Sequence, residues 1–440
     1  MRVERLFAMI EPALRGFTST DAPSASIYNQ CVRCGLCLPT CPTYLETMTE
    51  TSGPRGRISL IKSVGEGTLD LLSPGFTYQM SECLDCRACE AVCPSGVHYG
   101  QLVETARNQI ERGAEPRRSP LQNALRRLVL WTLFANLWVM RVVAAFTRFY
   151  QRSGLQQVAR KSGLLRLLKL ERLESFAPRI SDRFITARDQ RFEANPSRAT
   201  VMLHLGCVMH VAFTPVHEAT IRVLQKNHCT VLLAEGQGCC GAIDVHAGEM
   251  AWGKEFARRN IAAFERSGAE YYLVNAAGCG SMLKEYGEVL ADDAAWALRA
   301  RTFSSKVRDI LEFLDDIGLE GELGRVDRSV TYQEPCHLAH AQRITAAPRR
   351  LLRAIPGLEL REMNESSVCC GSAGVYNVTQ PEMSERLKRR KIANACATDA
   401  HTIATANPGC ALQLESGLRE SSAQLDVVHV IELLDEAYRN

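Results

Sequence analysis

One cysteine spacing occurs twice and each copy ends in proline: Cys31, Cys34, Cys37 and Cys41 before Pro42, then Cys83, Cys86, Cys89 and Cys93 before Pro94. A cubane cluster needs four thiolates. Three cysteines at i, i+3 and i+6 wrap a short loop round one cluster, which leaves the fourth, next to proline, aimed elsewhere. The eight cysteines therefore read as ligands for two four-iron four-sulfur clusters, and bringing them together constrains the N-terminal fold more than any apolar pattern does. Zinc sites use paired rather than triple spacings.

The two runs resemble those of two-cluster ferredoxins, in which the fourth cysteine of each run binds the other cluster. That resemblance implies Cys31, Cys34, Cys37 and Cys93 on one cluster, with Cys83, Cys86, Cys89 and Cys41 on the second. The 41 residues between Cys41 and Cys83 are too many for the compact bacterial form and suit a helical variant. Gly53-Pro54-Arg55-Gly56-Arg57 reads as a turn before the apolar stretch Ile58 to Val64, and Pro94 precedes a helical pattern from Tyr99 to Ile110. Residues 1–115 are thus expected to form an α-helical, ferredoxin-like domain without a sheet.

A chain of 440 residues with 46% hydrophobic content has material for two or three packed cores. The net charge of +3 gives no reason to expect a nucleic-acid partner. Met1 to Gly16 lacks the apolar stretch and cleavage site of a secretory signal, so the 18 cysteines are expected in a reducing, cytoplasmic setting, as metal ligands rather than as disulfides. No run of 18 apolar residues suggests a membrane span.

Residues 116–197 read as a helical connector. From Leu121 to Arg152, Leu, Val, Trp and Phe alternate with Arg126, Arg127, Arg141, Arg148 and Arg152, without an acidic residue. Its longest uncharged stretch, Leu128 to Met140, is too short to cross a bilayer. A helix of this kind can lie among lipid headgroups, dock on a partner, or pack into the protein's own core. Leu164 to Leu173 is a second basic apolar stretch.

The remainder is a tandem repeat, expected over 198–320 and 321–440. Val201 to Gly206 reads as a strand ending at Cys207, Thr230 to Ala234 leads to Cys239-Cys240-Gly241, and Tyr271 to Val274 leads to Cys279. The second copy runs Val330 to Cys336, Leu358 to Arg361 before Cys369-Cys370-Gly371, and Thr402 to Ala406 before Cys410. The first cysteine precedes the pair by 32 and 33 residues, and the last follows it by 39 and 40. Helical patterns at Val216 to Gln225, Met250 to Ser267 and Met383 to Cys396 alternate with the strands, so each repeat is expected to be parallel α/β. Its cysteines all fall past strand ends, where such sheets gather ligands.

Adjacent side chains diverge, so placing both cysteines of a pair on one centre needs a strained backbone that the following glycine relieves. Cys207, Cys239, Cys240 and Cys279, and likewise Cys336, Cys369, Cys370 and Cys410, are candidate ligands of additional clusters. Cys229 and Cys396 have no counterpart and read as small buried hydrophobes. His210, His217, His337 and His340 lie near the first cysteines, with a supporting role expected. This pattern resembles the cysteine-rich domain of the heterodisulfide reductase superfamily, whose motif ends Cys-x-x-Cys. Here Ala276 and Asn407 stand where that last pair would begin, which argues against disulfide cleavage and leaves open one cubane per repeat, one shared cluster, or none in one repeat.

The order of these units, with Asn29-Gln30-Cys31-Val32-Arg33-Cys34-Gly35-Leu36-Cys37, Gly53-Pro54-Arg55-Gly56-Arg57-Ile58, Cys83-Leu84-Asp85-Cys86-Arg87-Ala88-Cys89 and Asn407-Pro408-Gly409-Cys410, resembles the iron–sulfur subunits of glycolate oxidases. Anaerobic glycerol-3-phosphate dehydrogenases and lactate-utilisation proteins share the order. The resemblance implies an electron-transfer subunit that takes electrons from FAD-containing partner subunits oxidising glycolate to glyoxylate. It would pass them to a membrane acceptor such as quinone, at the inner face of the cytoplasmic membrane. No Gly-x-Gly-x-x-Gly follows a strand pattern, and Gly236-Gln237-Gly238 leads into cysteines rather than a helix, so no flavin is expected on this chain. The alternatives are the iron–sulfur subunit of an anaerobic glycerol-3-phosphate or lactate dehydrogenase, or disulfide reduction by the chain itself.

Overall fold

The computed structural model describes residues 15–18, 20–128, 132, 136–168, 170, 174–421 and 423–440. Most of Met1 to Gly16 and parts of the stretches Leu128 to Met140 and Leu164 to Leu173 lie outside these residues.

The N-terminal unit is helical, as expected. Helices at Pro42–Thr47, Pro54–Gly65 and Pro74–Glu82 each begin on proline, whose fixed φ suits the first turn and whose missing N–H would have no partner there. Tyr99–Ala114 buries Tyr99, Leu102, Val103 and Ala106, one stripe at helical spacing. That stripe packs on Ile61, Val64, Phe76 and Met80, and the same core contains Cys83 and Cys89.

Each repeat builds a sheet. The first has the order β1-β3-β2-β4-β5, formed by Gln190–Phe192, Cys229–Leu233, Ala199–Leu203, Tyr271–Val274 and Val307–Asp309 in that order across the sheet. The second has the order β7-β6-β8-β9, formed by Leu358–Arg361, Arg328–Tyr332, Thr402–Thr405 and Asp426–His429. All pairings are parallel except β1 with β3. β1 belongs to the stretch read as connector, and β1, β5 and β9 are too short and too polar to stand out in the sequence. Leaving β1 aside, the two sheets share one order, with the reversal between the first and third strands of each repeat. Past those strand ends a crevice opens, and the cysteine loops occupy it.

The repeats share one core, running from Val201 and Leu273 through Val330 and Tyr332 to Val430 and Leu434. Arg222 of the helix Thr214–Lys226 clamps Asp435 of the last helix, Val430–Arg439, with contacts of 2.8 and 2.7 Å.

Candidate iron–sulfur ligand sets

The two N-terminal loops repeat one backbone shape. Arg33 and Asp85, each before the second cysteine of its run, have φ of 57° and 51°, and the residues after it, Gly35 and Arg87, have φ of 85° and 60°. Three of these four are not glycine, and such left-handed positions gather where a loop is shaped for a ligand. Cys31, Cys34, Cys37 and Cys93 line one cavity with Cys89 and Tyr99. Cys34 is exposed, and the loop also exposes Val32 and Leu36.

The second set lies deeper. Burial pushes the Cys86 and Cys89 thiols well above their ordinary range, and both also feel Cys83 and Cys41. Arg57, 1% exposed, stands beside Cys83 and Cys41. Its guanidinium donates to Glu82 Oε2 at 3.0 Å, Gln79 O at 2.8 Å and Thr43 Oγ1 at 3.1 Å, and Thr43 Oγ1 lies 3.3 Å from Cys41 Sγ.

In the second repeat the thiols contact one another. Cys336 and Cys369 are 3.9 Å apart, Sγ to Sγ. Thiol–thiol hydrogen bonds continue from Cys369 to Cys370 and on to Cys410; they hold Cys336 and Cys370 low and push Cys369 and Cys410 up. Lys391, 2% exposed, faces Cys369, Cys370 and Cys410 and donates to the Glu365 and Ser366 carbonyls. His337 Nδ1 is 3.5 Å from Cys336 Sγ. Asn407 Nδ2 donates to Cys410 Sγ at 3.4 Å.

The first repeat makes the same chain of contacts, from Cys207 to Cys239 to Cys240 to Cys279. Nearby Asp244 has its carboxyl pushed up to about 7 by burial. The glycine after each pair does what its position requires. Gly241 and Gly371 have φ of 84° and 85°, and a Cβ on Gly371 would meet Ser384 O at 2.7 Å.

The histidines divide. His210 Nδ1 bonds Gly206 O, His217 Nε2 bonds Leu205 O and His340 Nε2 bonds Ser367 O, all bracing cysteine loops through backbone. His204 is different and was not singled out from sequence: a ring nitrogen lies within 4.8 Å of the sulfurs of Cys240 and Cys279. The signal was its place three residues before Cys207. Cys229 is buried and Cys396 half-buried, and neither joins the chains of thiol contacts above.

The sets adjoin. Cys86 shares a buried apolar cluster with Cys336 and Cys369, sealed by Leu84, Tyr376, Met383 and Leu387. Tyr376 donates to Glu82 O at 2.9 Å, and Arg390 reaches Glu46 at 2.9 Å. On the other side Arg87 pairs with Asp85 and Glu104 at 3.0 Å each and with Glu285 of the first repeat at 3.4 Å. Convergent buried thiols on strained loops, two of the sets beside a buried cation, suit anionic iron–sulfur clusters.

The connector is more tied down than its composition implies. Arg126 pairs with Glu249 at 2.8 Å and Glu111 at 3.3 Å, and Arg127 with Glu115 at 2.8 Å. The helix Leu137–Arg152 buries Met140 and Ala144 and exposes Trp138, Phe146 and Phe149. No helix among the described residues is long and apolar enough to cross a membrane.

Family models match along the chain in the order of these units: a 4Fe-4S dicluster domain over residues 27–97, the linker region of the glycolate oxidase iron-sulfur subunit over 121–177, and a cysteine-rich domain twice, over 201–284 and 330–415. The "Probable glycolate oxidase iron-sulfur subunit" of Bacillus subtilis is 41% identical over 92% of this chain and 93% of its own. The "Glycolate oxidase iron-sulfur subunit" of Escherichia coli is 34% identical over 94% of each. "Lactate utilization protein A" of Shouchella clausii is 30% identical over 53% of this chain and 98% of its own. With two relatives matched nearly end to end and dicluster, linker and cysteine-rich units in the same order, the chain belongs to the family of glycolate oxidase iron–sulfur subunits.

Proposed function

We propose that this chain is the electron-transfer subunit of a glycolate dehydrogenase complex, working with FAD-containing subunits that oxidise glycolate to glyoxylate and with a membrane acceptor such as quinone. A 2-hydroxy acid gives up two electrons as hydride, which suits a flavin, whereas bound iron–sulfur clusters supply one-electron steps. Two relatives named for glycolate oxidase, each matched over more than nine-tenths of the chain, favour glycolate over lactate.

In this reading residues 1–115 carry two four-iron four-sulfur clusters, on Cys31, Cys34, Cys37 and Cys93 and on Cys83, Cys86, Cys89 and Cys41. The repeats offer additional ligand sets, Cys207, Cys239, Cys240 and Cys279 in 198–320 and Cys336, Cys369, Cys370 and Cys410 in 321–440, with 116–197 between. The observation that carries the reading is the packing of Cys86 against Cys336 in one buried apolar cluster. Leu84, Tyr376, Met383 and Leu387 keep solvent from that junction, while Arg57 and Lys391 hold positive charge beside its two ends. The exposed loop at Cys34 leaves the far end open to a partner's redox group.

The test is Cys86→Ser in the reconstituted complex. Glycolate should still reduce the flavin, and glycolate-dependent quinone reduction should be lost. Undiminished quinone reduction would overturn the proposal.

A further inference from the structure

The two repeats superpose in pattern but differ at two buried positions. His204 and Gln333 each stand three residues before the first cysteine, and each donates its backbone N–H to the neighbouring strand's carbonyl, Leu273 O at 2.8 Å and Ala404 O at 3.0 Å. Asn260 and Lys391 occupy the same place in Arg258-Arg259-Asn260-Ile261 and Arg389-Arg390-Lys391-Ile392, on the helices Met250–Ser267 and Pro381–Cys396.

Gln333 is satisfied within the protein: its amide donates to Glu334 O at 2.7 Å and accepts from Thr405 at 2.7 Å. His204 is not. It is 2% exposed, its Nδ1 lies 2.8 Å from Tyr272 Oη, and its Nε2 has no hydrogen-bond partner. Nε2 lies beside Gly206, whose φ of 64° turns the chain into Cys207. With Nδ1 engaged, Nε2 is the nitrogen left to join the Cys240 and Cys279 sulfurs. An imidazole with one nitrogen held by an oxygen and the other unpartnered, beside two thiols, has the arrangement of a metal ligand with its supporting hydrogen bond.

Charge favours the same conclusion. In the second repeat, Cys369, Cys370 and Cys410 face the buried ammonium of Lys391. In the first, neutral Asn260 stands there instead, holding Gly238 N at 2.9 Å and Cys239 O at 2.9 Å. A cluster held by a neutral imidazole and three of the four thiols carries one negative charge less than one held by all four thiolates and needs no buried cation.

We infer that His204 Nε2 is an iron ligand of the cluster in the first repeat, making this a mixed cysteine–histidine centre unlike that of the second repeat. Histidine in place of cysteine raises the potential of an iron–sulfur centre, so the first repeat is the more oxidising of the two. This rests on the reading that the first repeat holds a cluster.

The experiment uses the full chain, reconstituted anaerobically with iron and sulfide, made with natural or 15N-labelled histidine. Difference spectra against Cys240→Ser isolate the first-repeat centre. Pulsed EPR should show one strongly coupled nitrogen that shifts with the label and is absent in His204→Gln. 57Fe Mössbauer spectra, which need no paramagnetic state, should show one iron site altered by that substitution. His204→Cys should keep the iron and lower the midpoint potential. If Cys240→Ser removes a centre that shows no histidine nitrogen and whose iron sites His204→Gln leaves unchanged, the inference fails while the cluster reading stands. If Cys240→Ser removes no iron, both fail for this repeat, and the N-terminal clusters remain as an independent check.

Discussion

Asn407 Oδ1 accepts the backbone N–H of Gly278 at 3.1 Å, across 129 residues of sequence. The same side chain donates to Cys410 Sγ at 3.4 Å. It stands where the related motif would place a cysteine, so the lost ligand has become a brace between the two repeats, next to Cys279 on one side and Cys410 on the other. Ala277 N, bonded to Ala406 O at 3.1 Å, runs alongside.

Replacing Asn407 by Ala should therefore disturb both sites at once. We expect a stability loss of about 1 kcal/mol from the missing bonds and a loss of roughly 10–100-fold in iron retention at the second repeat, the usual size for a supporting hydrogen bond. Thermal melts of the loaded protein and timed chelation measure the two. Retention equal to wild type would show that Asn407 braces backbone only.

Lys391→Met separates electrostatics from packing. Burial already pushes this ammonium below its ordinary range, so the charge is costly unless thiolates accompany it. The substitution should weaken the loaded protein more than the iron-free one and lower the midpoint potential of the second-repeat centre. Equal loss of melting temperature in both forms would mean that Lys391 serves the Glu365 and Ser366 carbonyls alone.

Arg57→Leu leaves Glu82, 3% exposed, without its partner 3.0 Å away. Breaking a buried pair from one side costs about 3–5 kcal/mol, and here it also removes the cation beside Cys41 and Cys83. Melting should fall by that amount and the signal of the Cys83, Cys86, Cys89 and Cys41 cluster should go first on dilution or warming. Arg325→Ala, which breaks the exposed pair with Asp327, is the control and should change little.

Much of this was legible because ligands must lie at fixed spacings. The eight N-terminal cysteines, the two pairs and their glycines could be read from sequence, and so could Tyr271–Val274, Leu358–Arg361 and Met250–Ser267 to the residue. What escaped depends on distance in space. β1 is three residues, Gln190–Phe192, and exists only because β3 offers an edge. The Arg57–Glu82 and Arg87–Glu104 pairs join separate helices or loops, and no local pattern announces them. His204 sat in a strand-end pattern that any buried histidine fits; its orphaned nitrogen becomes visible only once Tyr272 is beside it.

The junction with the first repeat should loosen at alkaline pH. His246 Nδ1 lies 3.0 Å from Glu104 and 3.2 Å from Asp85, and its ring lies 5.5 Å from that of His337, tilted by 45°. Burial opposes its charge, but the two carboxylates win and raise it to about 10. Arg87 and Glu285 complete the surroundings, with Arg107 bonded to His246 O. A histidine raised from 6.5 contributes stability that is fully present below pH 6.5 and is lost as pH rises through about 10. Hydrogen exchange at 242–249 should accelerate across that window, and His246→Gln should flatten the dependence. Exchange that is independent of pH in the wild type, after correction for the intrinsic rate, would rule this out.

The protein's own acidic and carbonyl groups already hold most of the linker's arginines. Arg126 and Arg127 are committed to Glu249, Glu111 and Glu115, so reversing their charge should loosen the linker from the protein rather than from a bilayer. The exposed apolar row is Trp138, Phe146 and Phe149, on a helix with Arg141, Arg148 and Arg152 and no acidic residue. Arg148 is held by the Ser181 and Asp182 carbonyls, and Arg152 pairs with the Asp182 carboxylate. Aromatic side chains beside arginines suit the headgroup region of an anionic membrane. Trp138→Ser with Phe146→Ser and Phe149→Ser should therefore abolish flotation of the full chain with vesicles containing anionic lipid, while iron content and melting temperature stay near wild type. Flotation unchanged by the triple substitution would assign this face to a protein partner, and binding to that partner would then be lost in the same variant.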